Sequence, residues 1–175
     1  MTATPNIEER ARIFATNAHA AISHVRKYTG EAYISHPAAV VEIVRRRPHT
    51  PEMLAAAWLH DVVEDTGVPI EKIREEFGEK VAALVSDLTD VSKPEDGNRK
   101  ARKAIDREHT ANASPEAKTI KLADLIDNTK SLAVRDPAFA KVYLEEKRLL
   151  LDVLREGDPV LWQTAHDQAT EATAD

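Results

Sequence analysis

Four prolines that each follow a helix-capping residue, in Thr50-Pro51, Ser114-Pro115, Asp136-Pro137 and Asp158-Pro159, constrain this chain more than any other feature. A capping side chain accepts a hydrogen bond from an N–H that the helix leaves unused. Proline in the first helical position gives up a donor the helix cannot satisfy. Each pair therefore marks a helix start. His36-Pro37 has the same form, but histidine is a poor cap and its side chain is suited to other work. Apolar residues recur at helical spacing over residues 7–28, 37–46, 51–65, 69–77, 79–88, 98–110, 115–134, 137–154 and 159–169. The pattern predicts an all-α fold of about nine helices without strands. A polar loop is expected over 89–97, and the last six residues, TEATAD, are expected to fray.

Composition agrees. Five Gly against nine Pro disfavour a turn-rich sandwich or barrel, and the abundance of Ala, Leu, Glu, Lys and Arg favours helices. With 175 residues, 42% of them hydrophobic, the chain reads as a single domain over 1–175, in which 151–175 form a C-terminal helix and tail. No period of roughly 20–50 residues repeats. The absence of Cys excludes disulfides, thiolate zinc sites and cysteine nucleophiles, so any metal must be held by His and carboxylate. Thirty acids against 24 bases give a net charge of −6, which argues against duplex nucleic acid as a partner. The opening MTATPNIEER is not a secretory leader, and no run of about 18 apolar residues occurs. A soluble cytoplasmic protein with no membrane partner is expected.

The densest polar cluster in apolar surroundings is LAAAWLHDVVEDTG, residues 54–67. On one continuous helix His60 and Glu64, and Asp61 and Asp65, are four apart and form two adjacent rows. The run Leu54 to Leu59 is apolar almost all round and marks a buried helix. Burying its acids without a partner costs several kcal/mol each, which a divalent cation relieves. A helix end emerging into solvent is the plain alternative. A second element favours the cation: in SPEAKTIKLADLIDNTKSL, residues 114–132, Lys121, Asp124 and Asn128 share one face beside apolar residues. A third, YISHP, supplies His36 just before a helix. His36, His60, Asp61 and Asp124 suit a borderline divalent ion such as Mn²⁺, Fe²⁺ or Zn²⁺.

The elements RKYTGEAYISHPAAVVEIV (26–44), AAWLHDVVEDTG (56–67), FGEKVAALVSDLTD (77–90) and SPEAKTIKLADLIDNTKSL (114–132) occur in this order. Together they resemble the HD-domain metal-dependent phosphohydrolases. Within these the chain is similar to the hydrolase domain of RelA/SpoT proteins and to the small alarmone hydrolases, over roughly residues 15–150. The dipeptide His60-Asp61 alone is weak, whereas HDxxED with an upstream YxxHP and a downstream KLADxxxN is specific.

The resemblance implies an all-helical HD fold and hydrolysis of (p)ppGpp, the alarmone of the stringent response, at its 3′-pyrophosphate. It implies metal ligands His36, His60, Asp61 and Asp124, with Mn²⁺ or another divalent transition metal as cofactor. Glu64 and Asp65 become the catalytic pair that orients a water and moves its proton, while the metal lowers the pKa of that water and polarises a phosphoryl oxygen. Substrate contacts are implied for Arg26, Lys27, Lys121, Asn128 and Tyr143. The basic group Lys93, Arg99, Lys100, Arg102, Lys103 and Arg107 is expected to supply one or two phosphate contacts, without the sequence saying which.

Three departures from the family pattern bear on guanine recognition: Ala32 in place of the usual Pro, an extra residue at Tyr28-Thr29, and His24 where Gln is frequent. A chain of this length is expected to be a hydrolase only, without synthetase or regulatory domains. The same metal site could serve a dNTP triphosphohydrolase or an NADPH 2′-phosphatase, alternatives that the base pocket decides. A non-catalytic nucleotide-binding HD module would show eroded ligands or a lost acidic pair, and neither is eroded here.

Overall fold

The structure, a computed structural model, describes residues 3–171, apart from the side chains of 133–135. Among the described residues it is all-helical: α1 (Ile7–Ala21), α2 (Ser35–Arg45), α3 (Pro51–Leu59), α4 (Val62–Thr66), α5 (Ile70–Phe77), α6 (Glu79–Leu88), α7 (Arg99–Ala111), α8 (Pro115–Arg135), α9 (Pro137–Val153) and α10 (Pro159–Glu171). A 3₁₀ turn, Pro94–Asp96, lies in the expected polar loop. The β pairing described is one isolated antiparallel bridge between Val25 and Ala32.

All four capping pairs start helices. Thr50 accepts from the Met53 N–H, Ser114 from Ala117 and Asp136 from Phe139, and Asp158 Oδ1 accepts from both Val160 and Leu161. Asn6 and Asn98 cap α1 and α7 in the same way. At His36-Pro37 the helix begins two residues before the proline, at Ser35, and no side chain caps it. His36 therefore lies in the first turn of α2 with its imidazole turned to other partners.

Contacts cluster in two compact units, Met1–Thr89 and Asp90–Asp175. In the first, α3 is the centre and packs against α1, α2 and α6. Every residue from Met53 to Leu59 is buried, and the three alanines at 55–57 let neighbouring helices approach closely. In the second, α8 packs against α9 and α10, while α7 packs on α9. The buried Lys118 ties this unit together, its Nζ donating to the Ala111 carbonyl at 3.0 Å and to Glu156 Oε1 at 2.6 Å.

Three boundaries differ from the sequence reading. α1 ends at Ala21, seven residues before the expected position 28, because Ser23 turns into the left-handed region at φ 50°. The segment expected as one helix over 51–65 is two helices, α3 and α4, which raises the number described to ten. Its break has a local cause: His60 Nδ1 hydrogen-bonds the Ala57 carbonyl at 2.7 Å, the acceptor that Asp61 N–H would use in a continuous helix. At the C-terminus Thr170 and Glu171, expected to fray, are helical, and 172–175 lie outside the described residues.

Candidate active site

In the first unit the end of α3 and the start of α2 deliver three donor atoms to one place. His60 Nε2 lies 3.0 Å and His36 Nε2 3.8 Å from the same atom, Asp61 Oδ2. Both imidazoles are only 2% exposed, with ring centroids 5.3 Å apart. The Ala57 carbonyl can only accept, so His60 carries its proton on Nδ1 and presents a lone pair from Nε2. A lone pair facing a carboxylate oxygen at 3.0 Å is repulsive unless a proton or a metal cation comes between them. Two imidazole nitrogens and a carboxylate oxygen are a donor set that fits a divalent transition ion.

Behind these donors stands a ring cluster. The Tyr33 hydroxyl donates to Asp61 Oδ2, and the Tyr33 ring stacks on His24 at 3.8 Å between centroids, 9° from parallel. His24 Nδ1 in turn meets His19 Nδ1 at 3.1 Å. His19 is fully enclosed, and burial pushes its pKa down to about 4, so the imidazole is neutral near pH 7.

Residues 24–33 form a hairpin-like turn that carries two of the expected cations. Tyr33 N–H bonds the His24 carbonyl and Arg26 N–H the Glu31 carbonyl, on either side of the Val25–Ala32 bridge. Ala32 N–H takes no part in this pairing, so a proline at that position would fit the same ladder. Gly30, at φ 71°, closes the turn by donating to the Arg26 carbonyl. Arg26 is half-buried there, while Lys27 is exposed and lies over the Tyr28 ring at 5.1 Å.

Glu64 and Asp65 are exposed on α4, a helix of five residues ended by Gly67 at φ 76°. The expectation of several buried acids therefore holds only in part for Asp61, which is half-buried with its side chain 15% exposed, and fails for this pair. The helix is interrupted after Leu59, yet the Asp65 N–H bonds the Asp61 carbonyl at 2.9 Å, so these two residues stay one turn apart.

The second unit holds a polar pocket. Its lining includes Lys103, Arg107, Lys121, Asn128 and Tyr143, together with the buried Asp106, Asp124 and Lys147. Asp124 is buried and held at both oxygens, Oδ2 by Lys121 Nζ and Oδ1 by Asn128 Nδ2, each at 3.0 Å. Lys121 and Asn128 thus orient Asp124 as well as facing the pocket. The Tyr143 hydroxyl is buried without a hydrogen bond of ordinary geometry, and desolvation raises its pKa. Lys147, 1% exposed, donates to Thr129 Oγ1 and Gln168 Oε1, and burial lowers its pKa to about 7.

Of the basic group expected to meet phosphates, Lys103 and Arg107 line the pocket. Arg99 is committed to Glu146 at 2.7 Å, a pairing that raises its pKa, and to the Phe139 ring. Asp106 escaped the sequence reading. Its carboxylate accepts from Val91 N–H, Ser92 N–H and the Ser92 hydroxyl, which fixes the polar loop beside the pocket. Its signal was an acid on the apolar side of α7. Tyr33 belongs to the motif YxxHP, but its spacing from His36 does not show its contact with Asp61.

An HD-domain family model matches residues 11–150 of the chain. Among curated proteins, a guanosine-3′,5′-bis(diphosphate) 3′-pyrophosphohydrolase of Aquifex aeolicus is 34% identical over 140 residues, 80% of this chain and 18% of that protein. A protein of the same activity named MESH1, from Drosophila melanogaster, is 44% identical over 85 residues, 49% of this chain and 46% of that one. The chain spans less than a fifth of the long bacterial relatives and about half of the MESH1 proteins it matches. A solved structure, reported as a metazoan ortholog of SpoT that hydrolyzes ppGpp, superposes with a TM-score of 0.85 at 28% identity and 99% coverage of both chains. Among the described residues no helix is long and apolar enough to cross a membrane.

Proposed function

This chain belongs to the HD-domain family, and from that premise we propose that it is a metal-dependent (p)ppGpp 3′-pyrophosphohydrolase, converting ppGpp to GDP and pyrophosphate. The observation that carries the reading is the convergence of His36 Nε2 and His60 Nε2 on Asp61 Oδ2, in the segment the family model covers. The names of the relatives support the substrate. We assign His36, His60, Asp61 and Asp124 as ligands of one divalent ion, Mn²⁺ or another transition metal. Residues 1–175 are taken as one HD phosphohydrolase domain, working in the cytoplasm on a small nucleotide rather than on duplex nucleic acid or a membrane.

When bound, the ion supplies Lewis-acid polarisation of a phosphoryl oxygen and lowers the pKa of water. The remaining work falls to the chain. Glu64 and Asp65, exposed on α4 just after the ligands, take a proton from the attacking water and return one to the ribose 3′-oxygen. The water oxygen ends on the released pyrophosphate, and the bond from phosphorus to the 3′-oxygen breaks. Lys103, Arg107 and Lys121 offset phosphate charge, Asn128 and Tyr143 hold the nucleotide in the pocket, and Arg26 and Lys27 grip it from the turn.

A substrate panel with Mn²⁺ tests the reading by following phosphate, pyrophosphate and triphosphate release from ppGpp, pppGpp, dNTPs and NADPH. Pyrophosphate from ppGpp and pppGpp is the expected main product, lost on chelation. Preference for a dNTP or NADPH would move the chain to another phosphohydrolase activity. Unchanged turnover after the metal is stripped would overturn the mechanism itself.

A further inference from the structure

We infer that Tyr33 and His24 are positioning residues that set the geometry of Asp61, and that His24 serves the metal site instead of reading a base. The inference rests on the proposed role of Asp61 as a ligand. Its support lies within the first unit. The Tyr33 hydroxyl donates to the carboxylate oxygen toward which His36 and His60 converge, so it fixes which way that oxygen points. Carboxylates that bind metals depend on such outer hydrogen bonds for their orientation.

Tyr33 is itself held in three ways. Its ring lies flat on His24, its backbone N–H bonds the His24 carbonyl, and its edge is bordered by the buried His19 ring at 4.8 Å between centroids. His24 is fixed in turn by the contact between its Nδ1 and that of His19. A ring stacked at 3.8 Å on Tyr33 has one face already covered and one nitrogen already engaged. The exchange of the frequent Gln for His at position 24 thus changes how Tyr33 is braced, not which base is recognised.

Mn²⁺ binding by calorimetry on the full chain, without nucleotide, tests this. Tyr33→Phe keeps the ring and removes only the hydroxyl, and its Mn²⁺ Kd should rise about 10- to 100-fold. Its kcat for ppGpp should recover as Mn²⁺ is raised to match the new Kd. His24→Ala should weaken Mn²⁺ less than Tyr33→Phe, and His24→Phe, which restores a stacking ring, should bring the Kd back toward wild type. Circular dichroism confirms that each variant is folded. A wild-type Mn²⁺ Kd in Tyr33→Phe overturns the inference, as does a His24→Ala that raises only the nucleotide KM. Wild-type protein that fails to bind Mn²⁺ would instead overturn the metal-site reading beneath it.

Discussion

Glu64 carries the sharpest claim about a single side chain. It is exposed, so replacing it leaves the core intact, and it stands after the ligand set rather than in it. Glu64→Gln keeps the size and removes the ability to accept a proton. Mn²⁺ affinity should stay unchanged while kcat falls by about 10²- to 10⁴-fold. Normal turnover in a single-round assay would remove the acidic pair from the mechanism. Lys147 makes a different prediction, about stability. Its pKa lies near 7 in the folded chain against an ordinary 10.5, so between those values the unfolded chain holds a proton that the folded chain has released. Stability linked to Lys147 is therefore complete above about pH 10.5 and lost as pH falls through 7. The effect is of the order of a few kcal/mol. Urea unfolding of the wild type and Lys147→Met from pH 6.5 to 10.5 should show the wild type gaining on the variant as pH rises. Parallel profiles would mean that Lys147 stays charged in its cavity.

Elements were legible in the sequence where a local rule decided them. Thr50, Ser114, Asp136 and Asp158 start helices because each side chain meets an N–H within three residues, a relation that needs no knowledge of the fold. The break at His60 was not legible, because periodicity continues through it and only the turn of the imidazole onto Ala57 shows the interruption. The end of α1 and the separate start of α4 were lost for a related reason: Ser23 adopts a left-handed conformation unusual for serine, and a five-residue helix is too short to show a period. His36, His60, Asp61 and Asp124 could be put forward because polar residues in apolar surroundings demand a reason. Tyr33 could not, since an aromatic beside a histidine is ordinary in a core. The turn between α9 and α10 yields a prediction at this scale. A Cβ on Gly157 would meet Leu122 Cδ1 at 2.8 Å and the α8 backbone at 3.1 Å. Gly157→Ala should therefore destabilise the chain by about 1–3 kcal/mol. Thermal melting of this variant beside Gly78→Ala separates crowding from backbone strain, since Gly78 has open space but a φ of 88°.

At the scale of the whole molecule a net charge of −6 runs against a polyanionic substrate. Removing Asp61, Glu64, Asp65 and Asp124 from the 30 acids leaves 26 against 24 bases, a balance of −2, so part of the acidity is the proposed site itself. A divalent ion and the lysines and arginines of the pocket then create a local field that the global sum hides. The ion should also be a measurable part of stability, because a ligand that binds only the folded state adds about 2.7 kcal/mol at a hundred times its Kd. For a chain of this size each kcal/mol moves the melting temperature by about 2–4 °C, so saturating Mn²⁺ should raise it by about 5–10 °C, reversibly with EDTA. With Asp124 among the proposed ligands, Asp124→Ala should lose most of the Mn²⁺-dependent shift even though three ligands remain. An equal shift in the variant and the wild type would remove Asp124 from the ligand set and leave it to Lys121 and Asn128, which already hold both of its oxygens.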